Sequence, residues 1–159
     1  MGVPARSRSE GVTLIELMVT LSVIAILLTL TVTGFQSLTA HNRITAAANG
    51  LIAHLQLARS EAVTRGVPVT ICPSPDGASC VDQNPSIWSA GYIVAVTGSN
   101  GGVQVLRRVD GKEWQGLKAD SAGRRWFVFR SDGSAEGTQG TVRICDPKDA
   151  TRIRLVRVN

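Results

Sequence analysis

The sequence is poor in the residues that build catalytic and metal centres. It has two histidines, His41 and His54, and neither lies near any of the three cysteines, Cys72, Cys80 and Cys145. The mixed cysteine and histidine spacing of a zinc site is therefore missing. Both histidines fall in a helical pattern and read as residues of its polar face. Serines are plentiful, but none stands in a recognisable arrangement of nucleophile, base and orienting partner. The stretch Gly98-Ser99-Asn100-Gly101-Gly102 lacks the Lys-Ser/Thr ending of a phosphate loop and reads as a hairpin turn. There is no internal repeat and no extended low-complexity tract. These absences argue against an enzyme and against a bound metal or cofactor.

One more absence has a definite place in the chain. No charged residue occurs from Leu17 to Ala40, and the run from Leu17 to Val32 is apolar on every helical face. A helix of about 20 such residues matches a bilayer core ~30 Å thick. A secretory signal would show a basic start, an apolar core of about 7 to 15 residues and a small-residue cleavage site. Here a polar leader, Met1 to Gly11, comes first, and the run behind it is too long for a removable core. Arg6 and Arg8 favour a cytoplasmic leader through the positive-inside bias. The expected result is a single-pass helix with the bulk of the chain outside the cytoplasm. Glu16 stands near the start of this run, where a carboxylate is costly and is kept for a purpose. A chain cut after Gly11 would supply its counter-charge, the new α-amino group of Val12 on a neighbouring subunit about one helical turn away in a staggered stack.

The segment Gly11-Val12-Thr13-Leu14-Ile15-Glu16-Leu17 resembles the type III prepilin motif of type IV pilins and type II secretion pseudopilins. The resemblance implies cleavage after Gly11 by prepilin peptidase, N-methylation of Val12 and an assembly role for Glu16. It also implies partners: other pilins or pseudopilins in a filament and an inner-membrane assembly platform.

Beyond the apolar run, Ile44, Ala47, Ala48, Leu51, Ile52, Leu55, Ala58 and Ala62 recur at helical spacing on one stripe. Arg65, Gly66 and Pro68 form a helix stop with a cation at the negative dipole end. One helix from about Thr13 to Arg65 is expected, its first half transmembrane and its second half packed on a sheet. The segment Leu55 to Cys72, with Arg59 and Glu61 inside it, is similar to the signature of the GspH/FimT family of minor pilins and pseudopilins. Taken singly, Arg59 and Glu61 read as solvated helix residues.

Downstream, short β-prone runs alternate with turn residues: Val67 to Cys72, Tyr92 to Val96, Val103 to Val109, Trp126 to Phe129, Thr141 to Cys145 and Arg152 to Val158. Asp76-Gly77, Asp110-Gly111 and Asp132-Gly133 punctuate them. The expected class is α+β and type IV pilin-like: one long N-terminal helix on a small, mostly antiparallel sheet. The divisions are a leader at 1–11, a membrane and filament-core helix at 12–40, an amphipathic continuation at 41–66 and a β-rich domain at 67–159. On the exported side a disulfide can persist. Cys72 and Cys80 enclose the turn-rich segment Pro73 to Ser79 and form the favoured pair, with Cys72 to Cys145 across adjacent strands as the rival.

The family resemblance leads to two functions. The first is a structural subunit of the tip or initiation complex of a type IV pilus or a type II secretion pseudopilus, serving pilus biogenesis or protein secretion. The similarity of Cys72 to Cys80 and of Trp88 to Val94 to pilus-associated members tilts this toward the pilus. The alternative is DNA binding for uptake in natural transformation. Residues 1–102 carry five basic and five acidic groups and the last 57 carry twelve and seven, so the whole excess of +5 lies in the C-terminal part. Arg152, Arg154 and Arg157 are the candidate contacts to phosphates, but the Gly-Arg-x-Arg tail motif of the DNA-binding members is absent.

Overall fold

The computed structural model describes residues 11–81, 85–98, 102–122, 125–135 and 137–159, and within these all side chains except those of 29–37, 85–87, 122 and 150. The leader from Met1 to Glu10, with Arg6 and Arg8, and the Ser99 to Gly101 part of the hairpin turn lie outside the described residues. Helix α1 runs Leu14–Arg65. It begins at Thr13, whose hydroxyl accepts the Glu16 backbone N–H at 3.3 Å, the first half of a capping box. Glu16 sits in the first turn, at the positive end of the helix dipole. At the other end Arg65 pairs with Glu61 at 2.5 Å, and Gly66 takes a left-handed φ of 67° that a residue with a Cβ adopts at a cost.

The chain divides into two compact units, one ending at Thr39 and one spanning Ala40–Asn159. In the first, helical residues expose apolar side chains, among them Leu14, Ile15, Leu17, Met18, Leu21, Ile24, Leu27 and Leu28. Among the described residues no helix is long and apolar enough to cross a membrane. The described side chains of this apolar run stop at Leu28 and resume at Leu38.

In the second unit, α1 buries Ile44, Ala48, Leu51, Leu55, Ala58 and Ala62, the spacing of one helical face. Among the described residues seven strands follow: β1 (Val69–Pro73), β2 (Gly91–Thr97), β3 (Val103–Asp110), β4 (Lys118–Ala122), β5 (Phe127–Phe129), β6 (Gly140–Asp146) and β7 (Asp149–Val158). They form two sheets, one ordered β3-β2-β1-β5 and one ordered β4-β6-β7. Every pairing is antiparallel. Six of the seven strands coincide with the β-prone runs of the sequence. The seventh, β4, reads Lys-Ala-Asp-Ser-Ala and has no intrinsic β preference. Pairing with β6 makes it a strand, and its alternation turns Ala119 and Ser121 inward.

The single expected sheet is thus two, and β2 shows why the larger one is closed on both sides. Tyr92, Val94 and Val96 join the main core with the helix stripe, while Ile93 and Ala95 pack with Cys72 on the opposite face. Gly91 begins this strand at φ 124°, where a Cβ would meet the Val109 carbonyl at 2.8 Å. The centre is aromatic: Trp88 lies 5.7 Å from Phe127 and 5.9 Å from Tyr92 between ring centroids, distances at which tilted ring pairs attract. The Trp88 indole N–H, fully buried, donates to the Ser121 hydroxyl at 3.1 Å. That contact ties the two sheets together through the strand that propensity does not reveal.

Leu51 is fully buried where the stripe meets the strands. Leu51→Ala should lower unfolding free energy by about 2–5 kcal/mol, measured by urea denaturation of the intact chain. A loss below ~1 kcal/mol would show that this stripe does not carry the packing.

Candidate assembly surfaces and functional residues

Gly11 and Val12 precede the first helical turn in non-helical backbone, and Val12 is 70% exposed. Four residues on from Val12, Glu16 is exposed on that first turn. The polar side chains that follow are absorbed by the helix: the Thr20 hydroxyl donates to the Leu17 carbonyl at 3.0 Å and the Ser22 hydroxyl to the Met18 carbonyl at 2.8 Å. Among the described residues, the start of α1 therefore presents an apolar surface with one carboxylate, Glu16, in its first turn.

Cys72 and Cys80 form a disulfide with Cα atoms 5.6 Å apart. The rival pairing fails because Cys72 lies on β1 of one sheet and Cys145 on β6 of the other, so their strands are not adjacent. Cys145 is a free thiol, partly buried. The loop closed by the disulfide is organised by Asp76, whose carboxylate accepts the N–H groups of Ala78 and Ser79 and the hydroxyls of Ser74 and Ser79 at 2.6–3.0 Å. These donors, the Ser79 hydroxyl foremost, hold its pKa well below the usual carboxylate range. From β3, Arg108 donates to the Gly77 carbonyl at 2.8 Å and fastens the loop to the sheet. Asp76-Gly77 is legible as a turn, but its role as the hub of the loop is not.

His54 departs from its expected place on a polar face. It is half-buried, and its Nδ1 lies 2.8 Å from the Tyr92 hydroxyl. Burial lowers the pKa of His54, helped by the Arg107 charge, and burial raises that of Tyr92. Arg59 departs from its solvated reading in the same way. It is partly buried, its guanidinium stands 5.3 Å above the centre of the Phe129 ring, and Nη2 donates to the Asn159 carbonyl at 3.0 Å. Neither tertiary partner is near in sequence, which is why helical spacing alone leaves both residues looking solvated.

The three C-terminal arginines do not form one surface. Arg152 pairs with Asp149 at 2.7 Å, and strand alternation puts Arg152 and Arg154 on the side where Val156 and Val158 are buried. Arg157 falls on the other side with the exposed Ile153 and Leu155.

A long helix packed by its second half on antiparallel sheets, and started by glycine and glutamate at prepilin spacing, is the build of a pilin-like filament subunit. The comparisons make this particular. The chain belongs to the GspH family: the model described as type II transport protein GspH matches residues 47–159. The prokaryotic N-terminal methylation motif matches residues 6–32. The type IV minor pilin FimU of Pseudomonas aeruginosa, strain PAO1, is similar at 27% identity and a TM-score of 0.58, covering 76% of this chain and 84% of that one. A second crystal form of FimU gives 27% identity and a TM-score of 0.50, covering 70% and 91%. No curated protein sequence matches. The chain is a minor pilin or pseudopilin of the GspH/FimT type.

The histidine buried against Tyr92 makes stability depend on pH. Its folded value lies below the unfolded 6.5, so the unfolded chain binds the extra proton between the two. Stability should be intact above pH 6.5 and fall as pH drops through and below it. A urea midpoint series from pH 7.5 to 5 should show this fall for the native chain and a flatter profile for His54→Gln. An unchanged slope in the variant would assign the pH response elsewhere.

Proposed function

We propose that this chain is a minor subunit of a type IV pilus, inserted once in the inner membrane with its C-terminal domain in the periplasm. Prepilin peptidase cuts it after Gly11 and methylates Val12. It then leaves the membrane for the filament through the inner-membrane assembly platform, packing α1 beside the helices of other pilins. The observation that carries this reading is the methylation motif standing directly ahead of a GspH-family domain in one chain. The likeness to FimU favours the pilus over the secretion pseudopilus.

Physical features of the N-terminal unit support the reading. Apolar side chains from Val12 to Leu28 are exposed in the isolated chain, as lipid contact or helix packing requires. The Thr20 and Ser22 hydroxyls return to the helix backbone, so they bring no unsatisfied polar group into a hydrocarbon phase. The Glu16 carboxylate would be neutralised by the methylated amine of a neighbouring Val12, a pairing that the low dielectric of a helix-packed core strengthens. DNA uptake gains no comparable support, since Arg152 is tied to Asp149 and Arg157 falls on the opposite side of the strand.

Mass spectrometry of protein from native membranes should give a mature N-terminus at Val12 carrying one methyl group. Detection of an intact leader in assembled filaments would sink the processing step. Glu16→Ala should leave cleavage intact and reduce recovery in sheared filaments at least tenfold, while wild-type recovery from the variant would remove the pairing role. A deletion strain should lose twitching and keep enzyme secretion; loss of secretion alone would move the chain to the pseudopilus.

A further inference from the structure

Strand β7 is the last strand of its sheet and pairs with β6 on one side. Along its C-terminal half runs a groove of about 210 Å³, lined from the helix by Ile52, Leu55 and Arg59, from β5 by Phe129, and by Val156 to Asn159. No residue of β6 lines it, so it follows the side of β7 turned away from that partner. The other sheet does not compete for this space. The outward N–H of Val128 on β5 is taken by the Thr138 hydroxyl at 3.0 Å, and the same hydroxyl donates back to the Val128 carbonyl at 3.1 Å. β5 is thus closed by its own loop, while β7 presents an edge of alternating donors and acceptors.

The chemistry of the groove is one-sided. Ile52 is 43% exposed beside it, giving an apolar floor with Leu55 and Phe129. Its charged side chains are those of Arg59 and Arg157, and among the described residues that line it no side chain is acidic. Arg59 spends Nη2 on the Asn159 carbonyl and its face on the Phe129 ring, yet its buried Nε has no acceptor. A buried donor left unsatisfied costs about 1–3 kcal/mol, and a carboxylate arriving in the groove would supply the acceptor.

We propose that this groove receives an extended acidic segment of a neighbouring filament subunit, which adds to the edge of β7 as a fourth strand. Its apolar side chains turn toward Ile52, Leu55 and Phe129, and its carboxylates meet Arg59 at the groove end and Arg157 on the outer side. Main-chain pairing gives the contact its strength, and the alternation of side chains gives it register and selectivity. The partner's identity as a subunit rests on the filament reading above; the acidic strand site rests on the groove alone.

The test uses the full chain in non-ionic detergent micelles and a fluorescently labelled ten-residue peptide alternating valine and glutamate, followed by anisotropy. Binding should appear, weaken at least tenfold in Arg59→Gln and in Arg157→Gln, and weaken with added salt. Arg59→Lys, which keeps the charge, should retain most of it. The same peptide methylated on alternate backbone nitrogens should bind at least tenfold more weakly, and a valine and lysine peptide should not bind. Circular dichroism of each variant separates lost binding from lost fold; for an unfolded variant, a Leu155→Pro substitution on the strand edge replaces it. Absence of binding by the glutamate peptide, or equal binding of the lysine peptide, overturns the site. Incorporation of the wild-type chain into sheared filaments is read separately: binding without incorporation removes the filament partner and leaves the acidic strand site, and incorporation without binding removes the site and leaves the filament reading.

Discussion

Everything in the C-terminal unit depends on one packing relation, the apolar stripe of the second half of α1 against the inner faces of the strands. Leu51, Ala58 and Ala62 are fully buried on that stripe, and Ile44, Ala48 and Leu55 nearly so. Burying each leucine or isoleucine side chain contributes about 1.5–3 kcal/mol. The alanines contribute differently: with no side chain beyond Cβ, they let the helix backbone approach the strands closely. Without that seat the two short sheets, each with an open edge, would have little to hold them in register.

The stripe also explains where polar chemistry survives. His54 and Arg59 flank it, and each carries a polar group to the boundary of the core. His54 reaches the Tyr92 hydroxyl and Arg59 the Asn159 carbonyl. Such groups are tolerated because they are partnered, and an unpartnered atom in the same position is conspicuous. Trp88 does the equivalent work between the sheets, with its indole N–H given to Ser121. The disulfide loop stands on the opposite face of the larger sheet and is held by Asp76 and Arg108 through hydrogen bonds of 2.6–3.0 Å.

A filament subunit of this family therefore divides its labour along one helix. The described side chains of the N-terminal part are mostly apolar and exposed, with a single carboxylate, Glu16, near the helix start. The C-terminal part has one apolar side because it carries a folded domain. The change occurs within one element, α1. Hydropathy is what differs between the parts.

Much of this was legible in the residues. Period-3.6 spacing from Ile44 to Ala62 and the Arg65-Gly66-Pro68 stop set the helix, because amphipathic periodicity and terminators are local properties. The glycine and glutamate before an uncharged run marked the N-terminal chemistry for a similar reason. Tertiary structure alone decided the rest. It made Lys118 to Ala122 a strand through pairing with β6, split one expected sheet into two, and put Cys72 and Cys145 on separate sheets. It carried Arg59 and His54 from apparent solvent to specific partners 100 and 38 residues away. It also left the edge of β7 open beside a groove. The physical reason is common to all of these: cross-strand partners and helix contacts are non-local, and no window along the chain contains both members of the pair.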